Sequence, residues 1–211
     1  MPRKYDAIIF DMDGTLVDTL SMTIGALAKY APQCGLSPLP RQAILPVIGL
    51  GNAEFYRALY PDATPAQRRQ LEAVVEEGEL EIGRTLGRRV LFPGATEMLA
   101  RLKRAGLPLF VASTGTRFHV EGCLQIGGVL PLFDEIACGE PDKTDMTARL
   151  LRGFEPARVP FIGDSFKDVE AAHANRLLAI GAGFGYARDG GAAFDAIYDT
   201  PEALGDALLT A

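Results

Sequence analysis

Two aspartates one residue apart, Asp11 and Asp13, close the first apolar run of the chain, Ala7-Ile8-Ile9-Phe10, and Gly14 follows them. A strand places residues i and i+2 on one face, roughly 6.5 Å apart, so both carboxylates can converge on one ligand. Gly14 frees the backbone to turn sharply behind them. In an open α/β sheet, ligands bind in the crevice beyond the carboxyl ends of the strands, which is where these acids would stand. Read alone, the same residues also describe a loop whose acids cap a turn and the next helix.

A second acidic cluster repeats the pattern after another short apolar run, in Val159-Pro160-Phe161-Ile162-Gly163-Asp164-Ser165-Phe166-Lys167-Asp168. By itself it reads as a strand-to-helix turn with Asp164 or Ser165 as the N-cap. If the two runs are parallel neighbours, however, Asp11, Asp13, Asp164 and Asp168 meet at one sheet edge. Four ionised carboxylates in so small a space repel, so a cation must compensate them or their pKa values must rise. Oxygen ligands select a hard divalent ion, and a site that also handles phosphate suggests Mg²⁺. An acid at a strand end can attack phosphorus to form an acyl phosphate. A second acid two residues on can protonate the leaving oxygen and then deprotonate water. Asp11 and Asp13 suit those two roles, and phosphoryl transfer also needs positive charge and donors around the moving oxygens.

The elements that must position these residues are legible as apolar runs between helical patterns. Strands are expected at 7–10, 107–112, 135–137, 159–162, 177–180 and 196–198, with helices at 94–105, 144–151 and 201–209. Such alternation argues for an α/β fold, a doubly wound, Rossmann-like parallel sheet with helices on both faces. The interval from Asp18 to Arg89 breaks the alternation. It reads as helices at 19–30, 40–46, 52–59 and 64–86, a small α-helical domain inserted after the first strand. The expected division is therefore a core of residues 1–17 and 90–211 and an insert of residues 18–89, hinged near 16–18 and 88–93. The acids between Glu72 and Glu81 are expected on a solvent face of the insert.

With 211 residues and 48% hydrophobic content, the chain is long enough for one ordinary core carrying a smaller insert. A net charge of −6 and a pI near 5.0 give no electrostatic footprint for nucleic acid. Cys34, Cys123 and Cys138 are odd in number and lack CxxC spacing, so neither a disulfide framework nor a zinc site is indicated. The apolar run after Tyr5-Asp6 is too short for a signal peptide, and no 18-residue apolar stretch occurs. These features set the expectation of a soluble cytoplasmic protein without membrane partners, and leave monomer and homodimer both open.

In combination these motifs resemble the haloacid dehalogenase-like superfamily, in its phosphatase branch with a helical cap, of the phosphoglycolate phosphatase-like kind. Asp11-Met12-Asp13-Gly14-Thr15 matches that family's first motif, Ser113 after Leu109-Phe110-Val111-Ala112 the second, and Gly163-Asp164-Ser165 with Asp168 the fourth. Leu91-Phe92-Pro93-Gly94, Ile180-Gly181 and Gly185-Tyr186 extend the similarity over nearly the whole chain. The resemblance implies a Mg²⁺-dependent phosphatase acting on a small phosphorylated metabolite, phosphoglycolate-like or a sugar phosphate. It implies Asp11 as nucleophile and metal ligand, and Asp13 as general acid/base that also ligates through its main-chain carbonyl. Asp164 would complete the metal ligation, and Asp168 would orient the metal or the lysine. Ser113 and the backbone N–H of Thr114 would hold phosphoryl oxygens. The third motif is a lysine usually followed by proline. Glu140-Pro141-Asp142-Lys143-Thr144 reverses that order, with Lys143 the residue that matches, since Lys103 and Lys167 read as surface residues. The family's asparagine after the second-motif hydroxyl is Thr114 here.

In the insert, Gly49-Leu50-Gly51-Asn52 is a candidate loop facing the site, or a helix start capped by Asn52. Arg41, Arg57 and Arg84 either reach a substrate anion or coat the insert, and His119 and His173 read as surface or packing residues. Among rival chemistries, a dehalogenase needs neither Asp13 nor a metal. A phosphonate hydrolase wants an insert lysine, of which Lys29 is the sole example between Asp18 and Arg89. A phosphosugar mutase would keep every motif. A catalytically idle binding fold predicts the loss of Asp11, Asp13 or Asp164, and all three are present.

Overall fold

The computed structural model describes residues 4–186 and 193–210. Short apolar segments form β1 (Ile8–Phe10), β2 (Leu109–Ser113), β3 (Glu135–Cys138), β4 (Phe161–Gly163), β5 (Ala179–Ala182) and β6 (Ala196–Tyr198). All pair in parallel in one sheet of order β3-β2-β1-β4-β5-β6. The chain runs outward from β1 in one direction and from β4 in the other, so the topological switch lies between these two strands. The expected strands are all present. β2, β4 and β5 each start two residues later than expected, at Leu109, Phe161 and Ala179.

Side-chain alternation explains why the central strands are apolar throughout. Ile8, Phe10, Leu109 and Val111 point into one cluster, and Ala7, Ile9, Phe110 and Ala112 into another on the opposite face. Helices α5 (Ala95–Arg104), α6 (Arg117–Gly127) and α9 (Pro201–Leu209) cover the first face with residues such as Met98, Leu124 and Leu204. Helices α7 (Lys143–Leu150) and α8 (Phe166–Ala174) cover the second with Met146, Leu150, Val169 and Ala172.

Between β1 and α5 the chain is helical: α1 (Thr19–Tyr30), α2 (Arg41–Ile44), α3 (Asn52–Leu59) and α4 (Pro65–Leu86), with 3-10 turns between them. α2 is shorter than its sequence pattern and passes into a 3-10 turn at Leu45–Val47 containing Pro46, which lacks the N–H an α-helix would require. The block has a hydrophobic cluster of its own, including Leu20, Leu27, Ile44, Phe55, Leu59, Leu71 and Val75. α4 opens with a capping box between Thr64 and Gln67. The two chain crossings into and out of the block are bonded to each other. Asp18 N donates to Val90 O at 2.8 Å, Phe92 N donates to Leu16 O at 3.0 Å, and Val17 and Leu91 form an antiparallel bridge. Among the described residues no helix is long and apolar enough to cross a membrane.

Phe10 has no exposed surface and meets Phe133 edge to face. Phe10→Ala is expected to lower stability by about 3–5 kcal/mol in urea unfolding monitored by circular dichroism.

Candidate active site

Four adjacent strand ends build the site. β1 delivers Asp11, held in place as its N–H donates to Ile162 O at 2.8 Å. β2 ends at Ser113, β3 leads through Gly139 into α7 and Lys143, and β4 ends at Gly163 with Asp164 directly after it. Asp11 and Asp164 thus flank the topological switch point, where an open α/β sheet leaves a crevice.

Lys143 is the first residue of α7 and is buried, with its Nζ 2.7 Å from Asp11 Oδ1 and 2.7 Å from Asp168 Oδ1. The reversed order around Pro141 therefore does not displace the amine. Asp168 is fully enclosed. Its Oδ2 accepts from Asp164 N at 3.1 Å, Ser165 N at 2.9 Å and Ser165 Oγ at 2.7 Å. With Lys143 on its other oxygen, this carboxylate is saturated by protein donors. Ser165 stands at the N-cap of α8 and Asp168 at its third position, so helix capping and lysine positioning use the same side chain. Gly163 makes this possible, since a Cβ there would run into the Asp168 carboxylate. Gly14, at φ +78°, likewise leaves room for Asp164, whose Oδ2 would lie 2.5 Å from an added Cβ.

Oxygens of Asp11, Asp164 and Asp168 lie within 4.8 Å of one another. Burial, then the charge of Asp168, pushes the Asp11 carboxyl up to about 7 despite the pull of Lys143. Burial and the charge of Asp11 also hold Asp164 well above the usual carboxylate range. Burial opposes the charge of Lys143, but Asp11 and Asp168 outweigh it and raise its pKa. One ammonium against three acids leaves surplus negative charge, and the surplus falls on Asp11 and Asp164, the two acids not saturated by protein donors. This all-oxygen donor set fits a hard divalent cation.

Asp13 lines a cleft between the sheet edge and the helical block. Its Oδ1 accepts from Thr19 Oγ1 and lies 3.0 Å from His119 Nε2. His119 Nδ1 in turn lies 3.3 Å from Glu79 Oε2, and Thr23 Oγ1 donates to Glu79 Oε1 at 2.5 Å. Burial would raise the pKa of Asp13, but His119 and Thr19 hold it below the usual value. Burial opposes protonation of His119, while Cys123 and Asp13 beside the ring carry its pKa well above the ordinary imidazole value.

Two sequence readings are corrected here. His119 is not a surface residue or simple filler, because α6 begins directly beyond the Ser113 strand end and turns the imidazole onto Asp13. Glu76 and Glu79 do not lie on a solvent face either: they share the side of α4 turned to the cleft, where Glu79 is buried and Glu76 bonds Thr116. His173 is exposed and pairs with Asp195 at 3.2 Å, as a surface residue would.

Ser113 is buried and its Oγ accepts from Gly115 N at 3.1 Å. The Thr114 hydroxyl donates to Gly49 O at 3.1 Å, so the Gly49 loop meets the sheet edge. Gly51 is the N-cap of α3, which starts at Asn52. Arg41 and Arg57 are exposed, and Arg84 pairs with Glu77 at 2.8 Å, which makes all three a coating of the block. Lys29 pairs with Glu81 at 2.7 Å, away from the cleft.

A family model described as haloacid dehalogenase-like hydrolase matches residues 5–175. A phosphoglycolate phosphatase of Synechococcus elongatus is 31% identical over 184 residues, covering 85% of this chain and 84% of its own. An N-acetylmuramic acid 6-phosphate phosphatase of Pseudomonas aeruginosa is 28% identical, covering 97% of this chain and 95% of its own. Among solved structures, a predicted phosphoglycolate phosphatase from Haemophilus somnus superposes with a TM-score of 0.86 at 22% identity, covering 98% of this chain and 99% of that one.

Lys143→Met would leave Asp11 and Asp168 buried without their cation. In metal-free buffer this is expected to cost about 3–5 kcal/mol of stability, read from urea unfolding midpoints.

Proposed function

The chain belongs to the haloacid dehalogenase-like hydrolases, and on that premise we propose a Mg²⁺-dependent phosphatase that hydrolyses a small phosphorylated metabolite, phosphoglycolate-like or a sugar phosphate, through an aspartyl phosphate on Asp11. The observation that carries this reading is the buried Lys143 amine, 2.7 Å from both Asp11 and Asp168, beside an Asp164 whose carboxylate is left undercompensated. Phosphatase relatives of similar length support it.

Asp11 Oδ attacks phosphorus, the bond from phosphorus to the ester oxygen breaks, and Asp13 delivers a proton to that oxygen. Water then attacks phosphorus, Asp13 takes its proton, and the bond to Asp11 breaks to release phosphate. His119 Nε2 lies 3.0 Å from Asp13 Oδ1, where it can pass a proton to Asp13 and take one back. Ser113 Oγ, Thr114 N–H and the Lys143 ammonium hold the phosphoryl oxygens, and Asp168 fixes the lysine. Asp11, Asp164 and the main-chain carbonyl of Asp13 would hold Mg²⁺, which supplies charge stabilisation for the transferring phosphoryl group. Residues 18–89 act as a cap over this site, and residues 1–17 with 90–211 as the core. The three free cysteines suit a reducing, cytoplasmic setting.

Phosphate release from a panel of phosphorylated metabolites tests the reading. Asp11→Asn is expected to abolish release while leaving the circular dichroism spectrum unchanged, and undiminished turnover in that variant excludes Asp11 as nucleophile. A chelator is expected to stop turnover and added Mg²⁺ to restore it; a metal-independent rate refutes the ligation scheme. His119→Gln is expected to lower kcat about 100-fold with a smaller change in KM, measured by initial rates.

A further inference from the structure

We infer that the alcohol portion of the substrate is uncharged and carries hydroxyl groups, and that Glu76 recognises it; the inference rests on the phosphatase reading and narrows it. The leaving group departs on the side of Asp13, so it must occupy the cleft that Asp13 faces. Thr114 and Thr116 edge that cleft from the core, while Leu50 and Tyr56 wall it from the helical block. Two acids, Glu76 and Glu79, reach in from α4, and neither lysine nor arginine lines it among the described residues.

A second anionic group would need a cation here. His119 is the sole basic residue lining the cleft, and its two ring nitrogens face Asp13 and Glu79. Lys29 pairs with Glu81, Arg84 with Glu77, and Lys167 lies 3.8 Å from Glu54, and none of the three lines the cleft. A carboxylate or second phosphate in the cleft would therefore face like charge from Glu76, an arrangement that rejects wrong partners strongly. The acid positions also favour a hydroxyl. Glu79 has both oxygens occupied, by Thr23 and by His119. Glu76 bonds Thr116 through Oε1, and its Oε2 has no hydrogen-bond partner among the described residues, so it offers an acceptor to an O–H donor. Leu50 and the ring of Tyr56 supply apolar surface for the carbon skeleton of a polyol or sugar.

The test is kcat/KM for sugar and polyol monophosphates, phosphoglycolate and a sugar bisphosphate, with p-nitrophenyl phosphate as reference, all with Mg²⁺. Wild type is expected to favour the neutral monophosphates over phosphoglycolate by about tenfold or more. Glu76→Gln, which keeps the acceptor and removes the charge, is expected to narrow that ratio through KM for the anionic substrates. Glu76→Lys is expected to reverse it, and thermal melts of both variants show whether they are folded. Phosphoglycolate or the bisphosphate turned over by wild type as efficiently as the neutral esters overturns the inference alone, as does an unchanged ratio in folded Glu76→Lys. No release from any ester, p-nitrophenyl phosphate included, overturns the phosphatase reading and this inference with it.

Discussion

The buried ammonium of Lys143 is the contact on which the site depends. Three carboxylates converge where β1 and β4 end, and without a cation folding would have to desolvate three like charges together. Lys143 neutralises part of that charge and spans β1 and α8, tying Asp11 to Asp168 at 2.7 Å each. The local backbone is arranged around this contact. Asp168 reaches Lys143 because Gly163 carries no side chain, and its other oxygen collects the N–H groups that open α8. A helix start, a strand end and a buried ion pair are thus satisfied by one carboxylate. What the pair leaves uncompensated is the charge on Asp11 and Asp164, a donor set that would suit a hard cation.

The two aspartates of the first motif stand in different electrostatic surroundings although one residue separates them. Asp11 is raised by burial and neighbouring acids, while Asp13 is lowered by His119 and Thr19. Pushing two carboxyls of one strand end in opposite directions allows one to face phosphorus and the other to manage protons. The partners of Asp13 come from both parts of the molecule: His119 belongs to the sheet domain, while Thr19 and Glu79 belong to the helical block. Asp13 therefore sits at the seam between them.

Much of this was legible in the sequence, and the limits have physical causes. The strands could be read because burial on both sheet faces demands continuous apolar runs, and the acids ending two of them announced the crevice. Lys143 could be read despite its altered neighbours because a helix start beyond β3 brings any first-turn side chain to the same edge. Other features were out of reach. α6, with Gly122 and Gly127 inside it, gives a weak helical pattern, so His119 had no element to be placed on. Its contact with Asp13 spans 106 positions, and nothing local to either residue announces it. Glu79 was hidden by its company: in a run of acids, nothing in the order of residues distinguishes the face of α4 that turns inward from the one that meets water.

The paired crossings between the sheet domain and the helical block bear on how a substrate gets in. Two independent linkers would let the block wander through rotations and translations alike. Here Asp18 with Val90 and Phe92 with Leu16 make the crossings a short two-stranded ribbon. A ribbon bends across its thin direction and resists shear and splaying, so it would confine any movement of the block against the sheet to a swing along one coordinate. A block held in this way would need no search among orientations to meet a ligand at the sheet edge, and little binding free energy would go to ordering the chain.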